Sequence, residues 1–260
     1  MTEQLAEQRR LQIVQRIRTT GAARVSELAK TLAVAEETVR RDLKLLDEQG
    51  VLTRTHGGAI TPSREQSFDQ PFEHRRQAML PQKQAIAREA FTRIGPGPLT
   101  IALDGSTTAW QLATLLTDPQ LTVVTNSLMI TTLLAARPGP RLVCVGGSLD
   151  RDLQMFTGLI AHDALRHMNV DLFFVSCAAV HGTRGFADPS EAAAHFKQRL
   201  IATADKTIVL ADSTKLQSRS PVVFASPGDV DELITDSMAD DDAVVGELES
   251  AGLRCSRVSA

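Results

Sequence analysis

Two groups of residues in this 260-residue chain have the types and spacing to act on anions. The first is Glu37, Thr38, Arg40, Arg41 and Lys44. At about 100° per residue, the step of an α-helix, Val39, Leu43 and Leu46 fall on one stripe, and Glu37, Arg40, Arg41 and Lys44 gather on the far side. Such a face can meet nucleic-acid phosphates and base edges, although a solvated amphipathic helix shows the same pattern. The second group is a set of polar loops that follow apolar, strand-like runs: Asp104-Gly105-Ser106-Thr107-Thr108, Thr125-Asn126-Ser127, Gly146-Gly147-Ser148 and Ala211-Asp212-Ser213-Thr214-Lys215. Backbone N–H groups and hydroxyls at a strand-to-helix turn surround a phosphate at the positive end of the helix dipole. Turn formation and capping explain any one of these loops, and Thr125-Asn126-Ser127 completely, but four at one sheet edge are harder to dismiss. Lys197 and Lys215 can supply the cationic charge a phosphate needs, with a solvated surface lysine as the plain alternative.

These groups need elements to hold them. Residues 7–19 place Ile13, Val14 and Ile17 on one helical face, and Gly21 stops that helix. Ala22-Ala23-Arg24-Val25 reads as a connection, and Ser26 as the N-cap of a second helix carrying Leu28 and Leu32. The arginine-bearing helix follows, with Gly50 placed to end it and 51–55 showing the β-branched alternation of a short strand. Three short helices, a strand and a strand-like return describe a winged helix-turn-helix.

Beyond it, residues 61–67 are polar and broken by Pro62, the composition of a linker. A helix after Pro81 puts Ile86, Ala87, Ala90 and Phe91 on one side with Lys83 and Arg88 elsewhere, and Gly95-Pro96-Gly97-Pro98 ends it. Strands over 99–103, 121–124, 141–145, 171–180 and 207–210 then alternate with helices near 109–116 and 128–134. Near-continuous apolar strands separated by amphipathic helices predict a mainly parallel sheet covered on both faces. In such a sheet, ligands bind beyond the carboxyl ends of the strands, where the polar loops lie.

The run Glu37-Thr38-Val39-Arg40-Arg41-Asp42-Leu43, extended to Gly50 and then Arg54-Thr55-His56-Gly57-Gly58-Ala59, resembles the signature of the DeoR family of bacterial transcriptional regulators, and the resemblance continues through almost the whole chain. It implies a multidomain protein: a winged helix-turn-helix over 1–60, a linker over 61–80, and an α/β domain over 81–260 similar to ribose-5-phosphate isomerase. Glu37, Thr38, Arg40, Arg41, Lys44, Arg54 and His56 are then the candidate contacts to double-stranded operator DNA. The resemblance further implies a phosphorylated sugar effector held by Asp104, Gly105, Ser106, Thr107, Thr108, Thr125, Asn126, Gly146, Gly147, Lys197, Asp212 and Lys215. It points to a repressor of a carbohydrate operon more often than an activator. Departures from the family pattern are Ala35, where a capping Ser is usual; the order Gly105-Ser106; Ser176 and Ala179, where glycines are common; His181, near which an acidic residue is usual; and Ala193, where Glu usually precedes the helix lysine by four.

Composition sets the remaining bounds. Residues 1–60 hold ten Lys/Arg against eight Asp/Glu, and the remainder 18 against 23, so a slightly basic module joins a mildly acidic body. The amino terminus lacks the apolar run of a signal peptide, and no stretch has the ~20 apolar residues of a membrane span. A cytoplasmic location without membrane association is expected. Cys144, Cys177 and Cys255 are odd in number and widely spaced, which predicts buried thiols rather than disulfides or a metal site. No cofactor and no catalytic residue is assigned. The competing reading, a phosphosugar isomerase-like enzyme with an accessory helix-turn-helix, needs a carboxylate base, for which Asp104 and Asp212 are the candidates. A symmetric operator calls for a homo-oligomer, a dimer or higher.

Overall fold

The computed structural model describes residues 2–48, 51–60, 70–216, 218–237 and 242–259, in two compact units, Met1–Met79 and Leu80–Ala260. The helix stop expected at Gly50 and the linker stretch expected at 61–67 lie outside the described residues.

The first unit runs α1 (Thr2–Thr20), β1 (Ala22–Arg24), α2 (Val25–Leu32), α3 (Glu36–Glu48), β2 (Thr53–Thr55), β3 (Gly58–Ile60) and α4 (Phe72–Gln77). Its core is the set of stripes read from the sequence: Ile13, Ile17, Leu28, Val39, Leu43 and Leu46 are each at most 4% exposed. Gly21, at φ 76°, takes the left-handed turn that ends α1, and its N–H donates to the Ile17 carbonyl at 2.8 Å. The 22–25 segment is not a plain connection. Residues 22–24 form the outer strand of an antiparallel sheet ordered β1-β3-β2, a pairing three residues are too short to announce. Close strand contact there requires Gly58, since a Cβ at that position would sit 2.1 Å from the Ala23 carbonyl oxygen. Ser26 is not an N-cap. The helix starts at Val25, and Arg24 holds the cap position without a side-chain cap bond.

The second unit contains α5 (Leu80–Phe91), β4 (Thr100–Leu103), α6 (Thr107–Leu115), β5 (Thr122–Thr125), α7 (Leu128–Ala135), β6 (Arg141–Cys144), β7 (Ser148–Asp150), β8 (Met155–Thr157) and α8 (Leu159–Leu165). It continues through β9 (Val170–Val175), β10 (Ala179–His181), β11 (Gly185–Asp188), α9 (Glu191–Ile201), β12 (Ala204–Leu210), β13 (Val222–Ala225), β14 (Glu232–Asp236), α10 (Asp242–Ser250) and β15 (Arg254–Val258). Seven strands form one sheet in the order β15-β14-β12-β9-β4-β5-β6, and every pairing in it is parallel. Alternate residues feed two cores. Phe173 and Val209 join one cluster with Phe186 and Phe196, while Phe174, Ile208 and Leu210 join another with Ile101, Leu112 and Ile86.

Three expectations fail locally. The 171–180 run is two strands, because the chain leaves the main sheet after Val175 and pairs β10 antiparallel with β11. On α5, Phe91 is 42% exposed at the last helical position, whereas Lys83 is buried. Cys144 is exposed, because β6 is the edge strand of the sheet.

Candidate functional site

On α3, Val39, Leu43 and Leu46 face the core, which leaves Glu37, Arg40, Arg41 and Lys44 exposed and Thr38 half-buried. The helix starts without a serine: the Ala35 carbonyl accepts from the N–H groups of Thr38 at 2.9 Å and Val39 at 3.2 Å, and Glu36 and Glu37 occupy the positive end of the helix dipole. The same glutamates hold the arginines. Arg40 lies 2.6 Å from Glu36 and 3.6 Å from Glu37, and Arg41 lies 3.9 Å from Glu37. Two further contacts fix the helix from behind. Arg9 on α1 makes a two-pronged bond to the buried Asp42 carboxylate, at 2.6 and 3.2 Å, and the Arg54 N–H of β2 donates to Asp47 at 3.0 Å. Arg54 and His56 are exposed on β2 and the turn after it.

At the carboxyl edge of the main sheet, one ammonium group organises the site. Lys197 on α9 donates to the Ser176 carbonyl at 2.7 Å and to Asp188, and it lies 3.2 Å from Asp104. Asp104 in turn accepts from the N–H groups of Ser176 at 3.0 Å and Ser106 at 3.2 Å. All three side chains are buried. Burial alone would strip the charge from Lys197, but Asp188 and Asp104 hold its pKa above the ordinary lysine value. Burial raises the Asp188 carboxyl, with Lys197 opposing. Lys197 therefore stays an ammonium ion. The aromatic ring of Phe224 lies beneath it, 5.0 Å from the nitrogen.

The other loops follow the ends of parallel strands at the same sheet edge. Ser106 caps α6 by accepting from the Ala109 N–H at 3.1 Å, with Thr107 and Thr108 buried in the first turn. Thr125 accepts from the Ser127 N–H, and Ser127 caps α7. The Asn126 amide donates to the Phe156 carbonyl at 2.9 Å. Its Oδ1 is buried without a hydrogen-bond partner, as is Oδ1 of Asp188. Gly146 and Gly147 are exposed, and a Cβ on Gly147 would lie 2.4 Å from the Thr157 carbonyl oxygen, so the β7–β8 hairpin crosses there only because no side chain is present. Asp212 caps a short 3-10 turn over Ser213–Lys215 and binds both the N–H and the hydroxyl of Thr214. Burial would raise its carboxyl, but Lys215, Lys83 and Thr214 together carry it below the ordinary carboxylate value. Asp236 accepts from both donors of Ser213.

Three residues here escaped the sequence reading. Asp188 is a second carboxylate for Lys197, Asp236 orders the 213 turn, and Lys83, buried on α5, helps to lower the Asp212 carboxyl. Asp188 carried one usable signal, an acid at the end of an apolar run nine residues before a lysine. Lys83 carried none. The departures also find places. Ser176 contributes its backbone, Ala193 donates its N–H to the capping Ser190 at 3.3 Å, and His181 accepts from Thr183 and Arg184 in its own turn. Among the described residues no helix is long and apolar enough to cross a membrane.

Comparison with known proteins places both units. The DeoR-like helix-turn-helix domain matches residues 9–65 and the DeoR C-terminal sensor domain matches residues 79–237. An uncharacterized HTH-type transcriptional regulator of Bacillus subtilis, YulB, is 37% identical over 98% of this chain and 97% of its own length. A putative aga operon transcriptional repressor of Escherichia coli O157:H7 is 31% identical over 95% and 91%, and the L-fucose operon activator of E. coli K12 is 33% identical over 80% and 86%. Among solved structures, a D-ribose-5-phosphate isomerase in complex with phospho-erythronic acid shares 18% identity at a TM-score of 0.38, over 51% of this chain and 52% of the other. The chain belongs to the DeoR family of transcriptional regulators, with a helix-turn-helix domain followed by the family's sensor domain.

Proposed function

We propose that this regulator represses a carbohydrate operon and that a phosphorylated sugar bound at the carboxyl edge of the seven-stranded sheet changes its affinity for the operator. The observation that carries the reading is the buried Asp104–Lys197–Asp188 constellation, bordered by the Thr107-Thr108 helix start and the Lys215 turn. Lys197 is committed to two carboxylates and a carbonyl, so it orders the pocket, while the Thr107-Thr108 N–H and hydroxyl groups and Lys215 receive the phosphate. The unpartnered Asn126 and Asp188 oxygens can accept from donors of the kind sugar hydroxyls supply. Gly105, Ser106, Thr125, Gly146, Gly147 and Asp212 shape the walls.

In the same reading 1–60 recognises DNA, 61–80 links, and 81–260 senses. Thr38, Arg40, Arg41 and Lys44 approach base edges and phosphates in the major groove, Glu37 contacts exocyclic amines, and Arg54 and His56 follow the backbone from the wing. The regulator acts in the cytoplasm as a dimer or higher oligomer matched to paired half-sites. It performs no turnover, because both candidate bases are engaged: Asp104 by two N–H groups and Lys197, and Asp212 by Thr214.

Thermal-shift screening against sugar phosphates tests the proposal, since a ligand that binds only the native state raises the melting point. A sugar phosphate that raises Tm and shifts operator affinity in a gel-shift titration is the expected outcome. Turnover of ribose 5-phosphate by the purified protein would instead favour the enzyme.

A further inference from the structure

We propose that the β7–β8 hairpin is the selectivity wall of the effector site, with Met155 limiting the bulk a ligand can place beside Gly105. The inference rests on the sugar-phosphate reading above and adds which part of the effector the protein measures.

The hairpin has two unlike faces. Leu149 pairs with Phe156 and Asp150 with Met155, and cross-strand partners share a face while neighbours along a strand do not. Leu149 is 40% exposed, whereas Met155 is buried. Met155 therefore lies on the inner face, against the loop that starts α6. A Cβ on Gly105 would lie 3.2 Å from Met155 Cε, 3.5 Å from its Cβ and 3.7 Å from its Sδ. Any side chain at 105 would press on the methionine. The order Gly105-Ser106 serves both neighbours, since glycine leaves room for Met155 and serine caps α6.

Backbone bonds hold Met155 in this place. The Phe156 N–H donates to the Asn126 carbonyl at 2.8 Å and the Leu128 N–H to the Gln154 carbonyl at 2.9 Å, on either side of an antiparallel bridge between Ser127 and Met155. Asn126 adds its amide bond to the Phe156 carbonyl. A carbonyl only accepts, so this bond fixes the orientation of the amide and leaves Oδ1 as its buried, unpaired atom. At the other end, Asp150 Oδ1 accepts from the N–H groups of Asp152 at 3.0 Å and Leu153 at 2.9 Å, which closes the turn of the hairpin. A braced strand thus brings a thioether to the edge of a polar loop. The thioether has no hydrogen to donate to a phosphate, and it acts on a ligand through its volume. One methylene too many against an apolar wall weakens binding about tenfold or more.

The test is titration calorimetry on the full chain with inorganic phosphate, sn-glycerol 3-phosphate, D-ribose 5-phosphate and D-glucose 6-phosphate, a series of rising size. In Met155→Ala, the affinity for glucose 6-phosphate relative to the smallest sugar or polyol phosphate bound by the wild type should rise about tenfold or more, with a smaller rise in Met155→Leu. Affinity for inorganic phosphate should stay within about twofold in both, because Met155 receives no part of that group. Gly105→Ala, which pushes on Met155, should weaken the larger ligands most, and Gly105→Ala combined with Met155→Ala should restore them. A contact that serves stability alone would lower Tm and leave the size profile as it is. Met155→Leu, which keeps most of the side-chain volume, decides the matter if Met155→Ala does not fold. A wild-type size profile in every folded Met155 variant would overturn the inference and leave the effector reading standing. No binding of any of the four ligands by the wild type would sink both.

Discussion

The charged groups of α3 are exposed and paired one turn away along their own helix, whereas those at the sheet edge are buried and paired across the chain. Arg40 and Glu36 sit about half-exposed, and such i,i+4 pairs contribute only a few tenths of a kcal/mol. Arg40 can leave Glu36 for a phosphate or a base at little loss. Lys197 has no such freedom, since its side chain is 6% exposed and its two carboxylate partners 1% each. A cation there has either its protein partners or none. The first arrangement suits a surface that exchanges partners, and the second suits a centre whose shape is fixed by the protein itself.

The sharpest way to break that contrast is to remove one charge from each region. Lys197→Met strands Asp104 and Asp188 as buried anions and should destabilise the second unit by about 3–5 kcal/mol, read as a fall in urea midpoint. A loss under 1 kcal/mol would mean that water reaches the centre. On α3, Arg40→Ala and Arg41→Ala should leave thermal stability nearly unchanged while weakening specific operator binding about tenfold or more in gel-shift titrations. Unaltered affinity in both would displace the reading face.

Acid titration separates the two regions more finely. Asp212 has a folded-state pKa below its ordinary 3.8, so its contribution is complete above that value and is lost as pH falls through the folded pKa. The stability advantage of the wild type over Asp212→Asn, measured by chemical denaturation, should be constant from pH 7 to pH 5 and shrink below pH about 4. An advantage that grows on acidification would reverse the assignment. The smallest effect belongs to Glu36→Gln. Freed from this partner, Arg40 should bind non-specific DNA a few-fold more tightly at low salt, and the gain should fade as salt rises.

How much of this was legible in the sequence depended on the range of the interactions. Stripes such as Val39, Leu43 and Leu46 are local, so α3 and its exposed face could be read directly. The alternation that sends Phe173 and Phe174 to opposite cores is equally local, so the parallel sheet could be read from its apolar runs. The loops with glycines and hydroxyls were visible as candidates, because strand ends carry recognisable turn chemistry. The partners of those loops were not visible. Asp188 meets Lys197 only because β10 and β11 form a side sheet, and the 171–180 run gave no sign of the break at Ser176. Lys83 looked like any polar-face lysine until α5 was seen against β12. Ser26 failed for a smaller reason, since the helix gained one residue at its start when 22–24 became a strand.

The bonds around Lys197 also bear on the order in which the chain acquires its parts. The side-chain bond that braces α3, Arg9 to Asp42, closes a separation of 33 residues, but the bond from Ser176 to Asp104 closes 72. Longer loops close more slowly, and chains emerge from synthesis amino end first. Helix α3 can therefore be complete while residues 176, 188 and 197 are still unmade. A newly synthesised chain passes through a stage at which its helix-turn-helix domain is formed and its sensor domain is not.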